Sequence, residues 1–273
     1  MSRSLAAPGA AGAPEAALPP PDVETSSDDY ARRFSGAVGA WFLEAQSRLT
    51  LALIARWPRA RVLDVGGGHA QLTGPLVDAG YDVTVYGSEA RCAARLRPWL
   101  DQGRVRFQAG HLDRLGVADR AYDVVVCYRL LPHVERWREL VAELCRVARA
   151  AVLVEYPTRR SLNAAAGPLF ALKRGVEGDT RPFTVFADAD VRAALAAASF
   201  AVTARRGEFV LPMALHRAVG LAPLSRAAEG LLGLLGLRRA LGSPVILRAE
   251  RRGCTAATDE LRGCTAATNG LRG

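Results

Sequence analysis

The chain has 273 residues, of which 50% are hydrophobic and 23% charged, and its formal net charge is +9. This is enough apolar material for one substantial core, and the length favours one domain. No uninterrupted run of 18 apolar residues occurs, so no segment is expected to span a bilayer. Prolines break the layout that a secretory signal needs at the N-terminus, which predicts a cytoplasmic location.

The positive charge is carried almost entirely by arginine. Lys173 is the single lysine among 36 basic residues, and the arginines are scattered along the chain. Surfaces that bind nucleic acid cluster their basic residues, so nucleic acid is not the favoured partner, whereas an acidic substrate or an anionic membrane surface stays open. The five cysteines form no Cys-x-x-Cys pair, and no metal site is predicted.

Three regions differ in composition. Residues 1–29 are rich in Pro and Ala and then acidic, and are expected to be a disordered leader. Residues 30–253 carry the regular patterning of a folded domain. Residues 254–273 belong to a ten-residue repeat, GCTAATDELR followed by GCTAATNGLR, which is too short for a solenoid and is expected to be unstructured.

Strands and helices alternate through the middle region. The predicted strands are Arg61–Val65, Tyr81–Tyr86, Val105–Gln108, Tyr122–Cys127, Ala151–Glu155, Phe200–Arg205 and Ser243–Glu250. The predicted helices are Tyr30–Trp57, a kinked or late-starting one through Leu72 and Val77 that ends at Gly80, Ala90–Leu100, Arg136–Ala148, Ala189–Ala198 and a helical stretch over 211–241. This alternation predicts an α/β fold with right-handed crossovers, a mostly parallel sheet and helices on both faces.

The most informative loop follows the first strand, in VLDVGGGHAQL. Three glycines allow a tight turn and a close approach of the backbone to a ligand. A plain strand-to-helix turn would also account for them. The dinucleotide fingerprint requires glycine at Gln71, and no Gly-Lys-Ser/Thr follows, so neither a dinucleotide site nor a P-loop is indicated.

Together with YDVTVYGSE and AYDVVVCYRLLPHVERWRELVAELCRVARAAVLVEYP, this motif resembles the class I S-adenosylmethionine-dependent methyltransferases of the small-molecule and quinone-methylating kind. The resemblance covers roughly residues 30–252. It implies a Rossmann-like, doubly wound sheet of seven strands, the last of them antiparallel, and S-adenosylmethionine as cofactor.

The resemblance also implies roles for residues. Asp64 would orient the methionine amino group of the cofactor, and Gly66, Gly67 and Gly68 would admit its backbone contacts. The acid that usually ends the second strand and binds the ribose hydroxyls is replaced by Gly87, so Glu89, two residues later, is expected to reach the ribose instead. A solvent-facing Glu89 on the first helical turn is the alternative.

A second departure from the family follows the third strand. The acid that the family uses to contact the adenine amino group is replaced by His111. The neutral ring of His111 can accept a hydrogen bond or stack on the base, and Asp113 is a possible substitute. Both departures put the affinity for the cofactor in doubt.

Methyl transfer needs a base only when the acceptor must lose a proton. The candidate catalytic residues are His133 and Tyr128, in the loop after the fourth strand, and Tyr128 is also a candidate cofactor contact. Arg129 suits an anion contact better than proton transfer, and Tyr156 is a further candidate. A structural role for His133, as a hydrogen-bonding residue of its loop, is the alternative.

The acceptor is expected to be recognised by the leader helix over 30–57, by 158–186 and by 211–241. The last contains LLGLLGLRRAL and predicts either a helical lid or an amphipathic contact with a membrane surface, and both suit a hydrophobic lipid, quinone or secondary metabolite. The alternatives are a binding module without catalysis and an RNA methyltransferase.

Overall fold

The structure is a computed structural model, and it describes residues 19–162 and 183–253. A seven-stranded sheet forms its centre, with strand order β3-β2-β1-β4-β5-β7-β6. The strands are β1 (Arg61–Val65), β2 (Asp82–Gly87), β3 (Val105–Ala109), β4 (Tyr122–Cys127), β5 (Ala148–Tyr156), β6 (Phe200–Phe209) and β7 (Ser243–Arg251).

The pairing of the strands confirms the predicted fold class. Strands β1 to β5 pair in parallel, while β7 lies antiparallel between β5 and β6. The carboxyl ends of β1 to β6 therefore meet at one edge of the sheet. In open α/β sheets this edge binds ligands.

The described helices lie around this sheet. They are α1 (Pro21–Thr25), α2 (Asp28–Arg32), α3 (Gly36–Ile54), α4 (Thr73–Asp78), α5 (Arg97–Leu100), α6 (Trp137–Val147), α7 (Asp188–Ala197), α8 (Met213–Val219), α9 (Ala222–Leu234) and α10 (Leu237–Leu241). Short 3₁₀ turns occur at Gly67–His69, Ala90–Leu96 and Leu131–His133. Within residues 19–162 and 183–253, no helix is both long and apolar enough to cross a membrane.

Buried apolar side chains cover both faces of the sheet. Every residue of β4 is buried. Because side chains alternate along a strand, Val125 and Cys127 join the cluster that contains Leu140 of α6, while Val124 and Val126 join the opposite cluster. This explains why β4 carries consecutive apolar residues from Val124 to Cys127 rather than an alternating pattern.

Two of the predicted element boundaries need correction, and a third is confirmed. The helix expected over 30–57 is interrupted after α2 and resumes as α3. The helix expected over Ala90–Leu100 begins as a 3₁₀ turn over Ala90–Leu96 before α5. The segment between Gly68 and Gly80 becomes helical only at Thr73, which agrees with the expectation of a late-starting helix around Pro75.

The disordered leader expected up to residue 29 is also corrected over residues 19–29. This part contains α1 and the start of α2, and Asp22, Thr25 and Ser26 are buried. Composition failed here because the segment is held by polar contacts rather than by apolar side chains. Residues 1–18, the repeat at 254–273 and most of the expected acceptor segment, 163–182, lie outside the described residues.

Candidate active site

The loop after β1 brings a buried carboxyl group against the glycines. Asp64 is 2% exposed, and its carboxylate occupies the space that a Cβ on Gly67 would fill. Burial raises the pKa of Asp64 to about 7. Its Oδ2 atom has no hydrogen-bond partner among the described residues. An unpaired buried carboxylate is costly, so this atom is suited to a donor that arrives with a ligand.

The N-terminal segment lies across this loop. Ser26, which follows α1, packs on Gly68 so closely that a Cβ at that position would collide with its hydroxyl and with the Cys92 carbonyl. His69 makes edge-on ring contacts with Tyr30 and Phe34, at centroid distances of 5.7 and 5.4 Å. The glycine loop therefore lies between the expected cofactor site and the N-terminal segment around Ser26.

His69 is buried beside this loop, at 5% exposure. Burial, together with the guanidinium groups of Arg129 and Arg95, lowers its pKa to about 3. The imidazole is therefore neutral at physiological pH. The sequence analysis did not single out His69, although it directly follows the three glycines.

The carboxyl end of β2 carries the expected ribose contact, Glu89. The structure places this side chain in an ion pair with Arg91 (Oε2 to Nε, 2.7 Å), and 39% of it is exposed. Its neighbour Ser88, which directly follows β2, contacts a buried charge. The N–H and the hydroxyl of Ser88 both donate to the buried carboxylate of Asp22. The sequence analysis assigned Asp22 to the disordered leader.

The loop after β3 contains the two candidates for the adenine contact. His111 and Asp113 are both exposed, and Asp113 lies 3.7 Å from the Arg136 guanidinium. The backbone carbonyl of His111 accepts a long hydrogen bond from the Tyr86 hydroxyl, at 3.4 Å. Both side chains are thus available at the surface of the sheet edge.

The two candidate catalytic residues follow β4 and differ in their surroundings. Tyr128 is buried, its hydroxyl lies 2.9 Å from Thr50 Oγ1, and burial raises its pKa well above 10. It therefore stays protonated and is a poor base. His133 is half-buried at the end of a 3₁₀ turn, with its ring 5.4 Å from that of Phe183. Tyr156, at the end of β5, donates to Asp188 and packs in the core.

Beyond β4, the sheet edge holds a pair of buried glutamates that the sequence analysis missed. Glu155 on β5 and Glu208 on β6 are 4% and 5% exposed. The side-chain amide of Gln46, on α3, donates to both carboxyls, at 3.1 Å to Glu155 and 3.3 Å to Glu208. The Gln46 carbonyl accepts from the Arg129 guanidinium at 3.1 Å. This group of four side chains is called the carboxyl pair cluster below.

The carboxyl pair cluster holds at least one proton. Burial raises the pKa of Glu155, and the positive charge of Arg129 works against that rise. The pKa of Glu208 is raised well above its usual value by burial and by the charge of Glu155. Two buried carboxyls that share the Gln46 amide cannot both ionise easily, and the charge of Glu155 favours the protonated form of Glu208. A buried acid at the end of an apolar strand, as in AVLVE, is the signal that would have found Glu155.

Comparison with known proteins concerns the segment that contains the loops after β1 to β4. A family model described as "Methyltransferase domain" matches residues 62–151, which run from β1 into β5. The match covers about a third of the chain, so this segment is similar to a methyltransferase domain. A search of curated proteins gave no match to the chain.

Solved structures share the fold. A magnesium protoporphyrin IX methyltransferase from Synechocystis PCC 6803, with bound S-adenosylhomocysteine, is 20% identical with a TM-score of 0.53, covering 82% of this chain and 93% of that one. A Haloferax volcanii complex of the Trm112 methyltransferase activator with a methyltransferase gives 16% identity and a TM-score of 0.58, covering 86% and 99%. The cyclase SpnF gives 17% and 0.52, covering 75% and 80%. At these identities the likeness concerns the fold.

Class I methyltransferases take S-adenosylmethionine as methyl donor, and the loop after β1 fits that cofactor. The unpaired Oδ2 of Asp64 offers an acceptor for an ammonium group, and the glycines present backbone rather than side chains beside it. Within residues 19–162 and 183–253, no group of three His, Cys, Asp or Glu side chains is arranged to hold a metal ion.

Proposed function

We propose that this chain transfers the methyl group of S-adenosylmethionine to a small hydrophobic acceptor. The observation that carries the proposal is the Asp64 carboxyl, which is buried and has an unpaired oxygen beside the glycine loop of a methyltransferase domain. A cationic amino group placed there would satisfy that oxygen. The same contact would fix the cofactor in the orientation that an in-line transfer requires.

When bound, S-adenosylmethionine supplies an electrophilic methyl group and its own leaving group. The chain then has to position the acceptor, exclude water and take up a proton where the acceptor loses one. We assign the proton to His133, which lies in the loop after β4 at the ligand-binding edge. Tyr128, which keeps its proton, holds that edge through Thr50 and acts as a positioning residue.

The acceptor side supports a hydrophobic substrate. An aromatic cluster of Trp41, Phe42 and Phe209 packs next to His216, with ring centroids 4.9 to 6.3 Å apart. Phe34 lies on the other side of this region, with the Arg129 guanidinium stacked 4.0 Å above its ring. The three cluster rings are 1% to 4% exposed, so a lipid, quinone or secondary metabolite would meet the half-buried ring of Phe34 rather than the cluster itself.

Incubation of the full chain with methyl-labelled S-adenosylmethionine and a panel of quinones, lipids and phenolic metabolites tests this function. Label should appear in a hydrophobic acceptor, and His133→Ala should reduce kcat with little change in KM, whereas His133→Asn, which keeps a hydrogen-bonding side chain, should not restore kcat. Label found only in small polar acceptors, or in RNA, would contradict the proposal. Cofactor bound without transfer to any acceptor would favour a binding module.

We also propose that the helices over 211–241 rest on an anionic membrane surface. Large apolar side chains are exposed on and beside α9: Leu221, Leu224, Leu231, Leu234 and Leu235 are 56% to 88% exposed. Arginines accompany them, including Arg226, Arg238 and Arg239. Exposed leucines with basic neighbours are the composition of helices that lie in the interface of an anionic bilayer.

Flotation with vesicles measures this contact. The full chain should float with vesicles that contain phosphatidylserine and much less with phosphatidylcholine alone. Leu234→Gln with Leu235→Gln should abolish flotation, while Leu162→Gln, a change at another exposed leucine, should leave it unchanged. If the double variant floats like the wild type, the contact lies elsewhere. If it instead converts a dimer to a monomer in sedimentation, the leucines serve self-association.

A further inference from the structure

The carboxyl end of β2 cannot hold the acid that the class I methyltransferases place there. A Cβ at Gly87 would lie 2.9 Å from the Cβ of Cys92 and 3.1 Å from the ring of Phe107. A side chain at this position would require both neighbours to move. Glu89, the substitute expected from the sequence, is held by Arg91 and faces solvent in part. Neither position therefore presents an unpaired carboxylate to the ribose.

Asp22 brings a carboxylate to this position from the N-terminal segment. Its Oδ2 accepts from the Ser88 backbone N–H at 2.6 Å, and its Oδ1 accepts from the Ser88 hydroxyl at 2.6 Å. The Cys92 thiol donates to Oδ2 at 3.4 Å. Ser88 directly follows β2, so this carboxylate lies one residue beyond the place where the family carries its acid.

The segment around Asp22 also contacts the glycine loop. The hydroxyls of Ser26 and Thr25 donate to the Asp22 carbonyl at 2.6 and 3.3 Å, which fixes α1. Ser26 in turn packs on Gly68. Asp22 is thereby held between the loop after β1 and the end of β2, the two elements that the resemblance assigns to the cofactor.

We propose that Asp22 supplies the carboxylate that binds the ribose hydroxyls of the cofactor. The proposal rests on the proposed function, since it requires S-adenosylmethionine in this site. The three donors that already contact Asp22 are neutral, so its negative charge is not paired by them. A carboxylate has about four lone-pair positions, and three are used, which leaves one on Oδ1 to accept a hydrogen bond from one of the two ribose hydroxyls. The Asp22 carboxylate is fully buried, at 0% exposure, and a ribose hydroxyl would satisfy part of its remaining hydrogen-bonding capacity.

A titration that varies the ribose hydroxyls tests this role. The full chain is titrated with S-adenosylhomocysteine and with its 2′,3′-dideoxy analogue, as wild type, Asp22→Asn and the control Glu89→Gln. The wild type should prefer the ribose form by at least about tenfold, the factor expected for hydrogen bonds to a charged group. Asp22→Asn should lose that preference because the affinity for the ribose form falls while that for the dideoxy form is kept. Glu89→Gln should behave as wild type.

Four outcomes would overturn the proposal. An equal loss for both ligands in Asp22→Asn would make Asp22 a structural clasp of α1. Tighter binding of both would mean that α1 covers the site and competes with the cofactor. Loss of the preference in Glu89→Gln alone would return the role to Glu89. A folded wild type that binds neither ligand would remove the proposed function as well, which separates that failure from the other three.

A second variant keeps the test decisive if Asp22→Asn does not fold. Ser88→Ala retains the Asp22 carboxylate and the backbone donor but removes the hydroxyl that orients Oδ1. It should reduce the preference for the ribose form several-fold. An unchanged preference in a folded Ser88→Ala protein would count against the proposal.

Discussion

The two halves of the ligand-binding edge are built in different ways. At the ends of β1 and β2, the site consists of backbone, glycines and one carboxyl with an unpaired oxygen. At the ends of β5 and β6, the carboxyl pair cluster consists of polar and charged side chains that are each hydrogen-bonded to the Gln46 side-chain amide. The first half has space and an unpaired oxygen for a ligand, whereas the side chains of the second half are already held in place by hydrogen bonds. One end of the sheet edge therefore has an acceptor atom free for a cofactor, while the other end already has its carboxyls hydrogen-bonded.

The largest effect is expected when one carbon atom is added to the glycine loop. Gly68→Ala places a Cβ against Ser26 and the Cys92 carbonyl, so the backbone must shift. We expect a loss of about 2 to 3 kcal/mol in the free energy of unfolding, and a loss of cofactor affinity of at least about 100-fold. Urea unfolding and calorimetric titration measure the two effects.

Gly230→Ala is the matched control for that change. Gly230 lies in α9 with no atom near its Cβ position. Alanine there should stabilise the helix by up to about 1 kcal/mol and leave cofactor binding unchanged. A Gly68→Ala protein as stable as Gly230→Ala would mean that the loop tolerates a side chain, and the account of its backbone role would fail.

The next effect is the pH dependence of stability that follows from the pKa of Asp64. Burial raises the pKa of Asp64 from 3.8 to about 7. Between these two pH values the carboxyl is therefore protonated in the folded state and ionised in the unfolded state. The stability of the wild type should therefore fall as pH rises from about 4 to 7. Asp64→Asn lacks this loss, and its stability advantage should grow by about 3 kcal/mol between pH 5 and pH 8, at about 1.4 kcal/mol per pKa unit.

Urea unfolding at the two pH values checks this expectation, and Asp78→Asn is its control. Asp78 is exposed on α4 and pairs with Arg104 at the surface, so its variant should show the same pH dependence as the wild type. If Asp64→Asn also follows the wild type, Asp64 is ionised in the folded protein and already has a donor. The same variant should bind the cofactor more weakly, although it is more stable.

The third and smallest effect concerns the carboxyl pair cluster. Burial and the neighbouring Glu155 raise the pKa of Glu208, so its proton costs stability when it is lost at higher pH. Glu208→Gln keeps the shape without the charge. It should be more stable than the wild type at pH 8 and closer to it at pH 5. Glu89→Gln, at an exposed ion pair, serves as the control for thermal unfolding at both pH values.

These effects follow the boundary between what the sequence predicts and what it does not. Asp64, the glycines and the order of the strands could be predicted because each depends on neighbours within a few residues. Gln46 reaches Glu155 and Glu208 across 109 and 162 residues, and no local pattern marks such a contact. Asp22 was missed for a related reason. It lies in a Pro- and Ala-rich stretch and is buried by hydrogen bonds to Ser88, which composition does not register.

The most direct test of the central claim is a calorimetric titration of the full chain with S-adenosylhomocysteine at pH 7, in two buffers with different heats of ionisation. The account predicts one binding site and the release of about half a proton per ligand, because an ammonium beside Asp64 would drive the deprotonation of a carboxyl whose pKa is about 7. Asp64→Asn should release none. Binding without proton release would remove Asp64 from the cofactor site, and no binding to the folded chain would contradict the claim that this edge holds the cofactor.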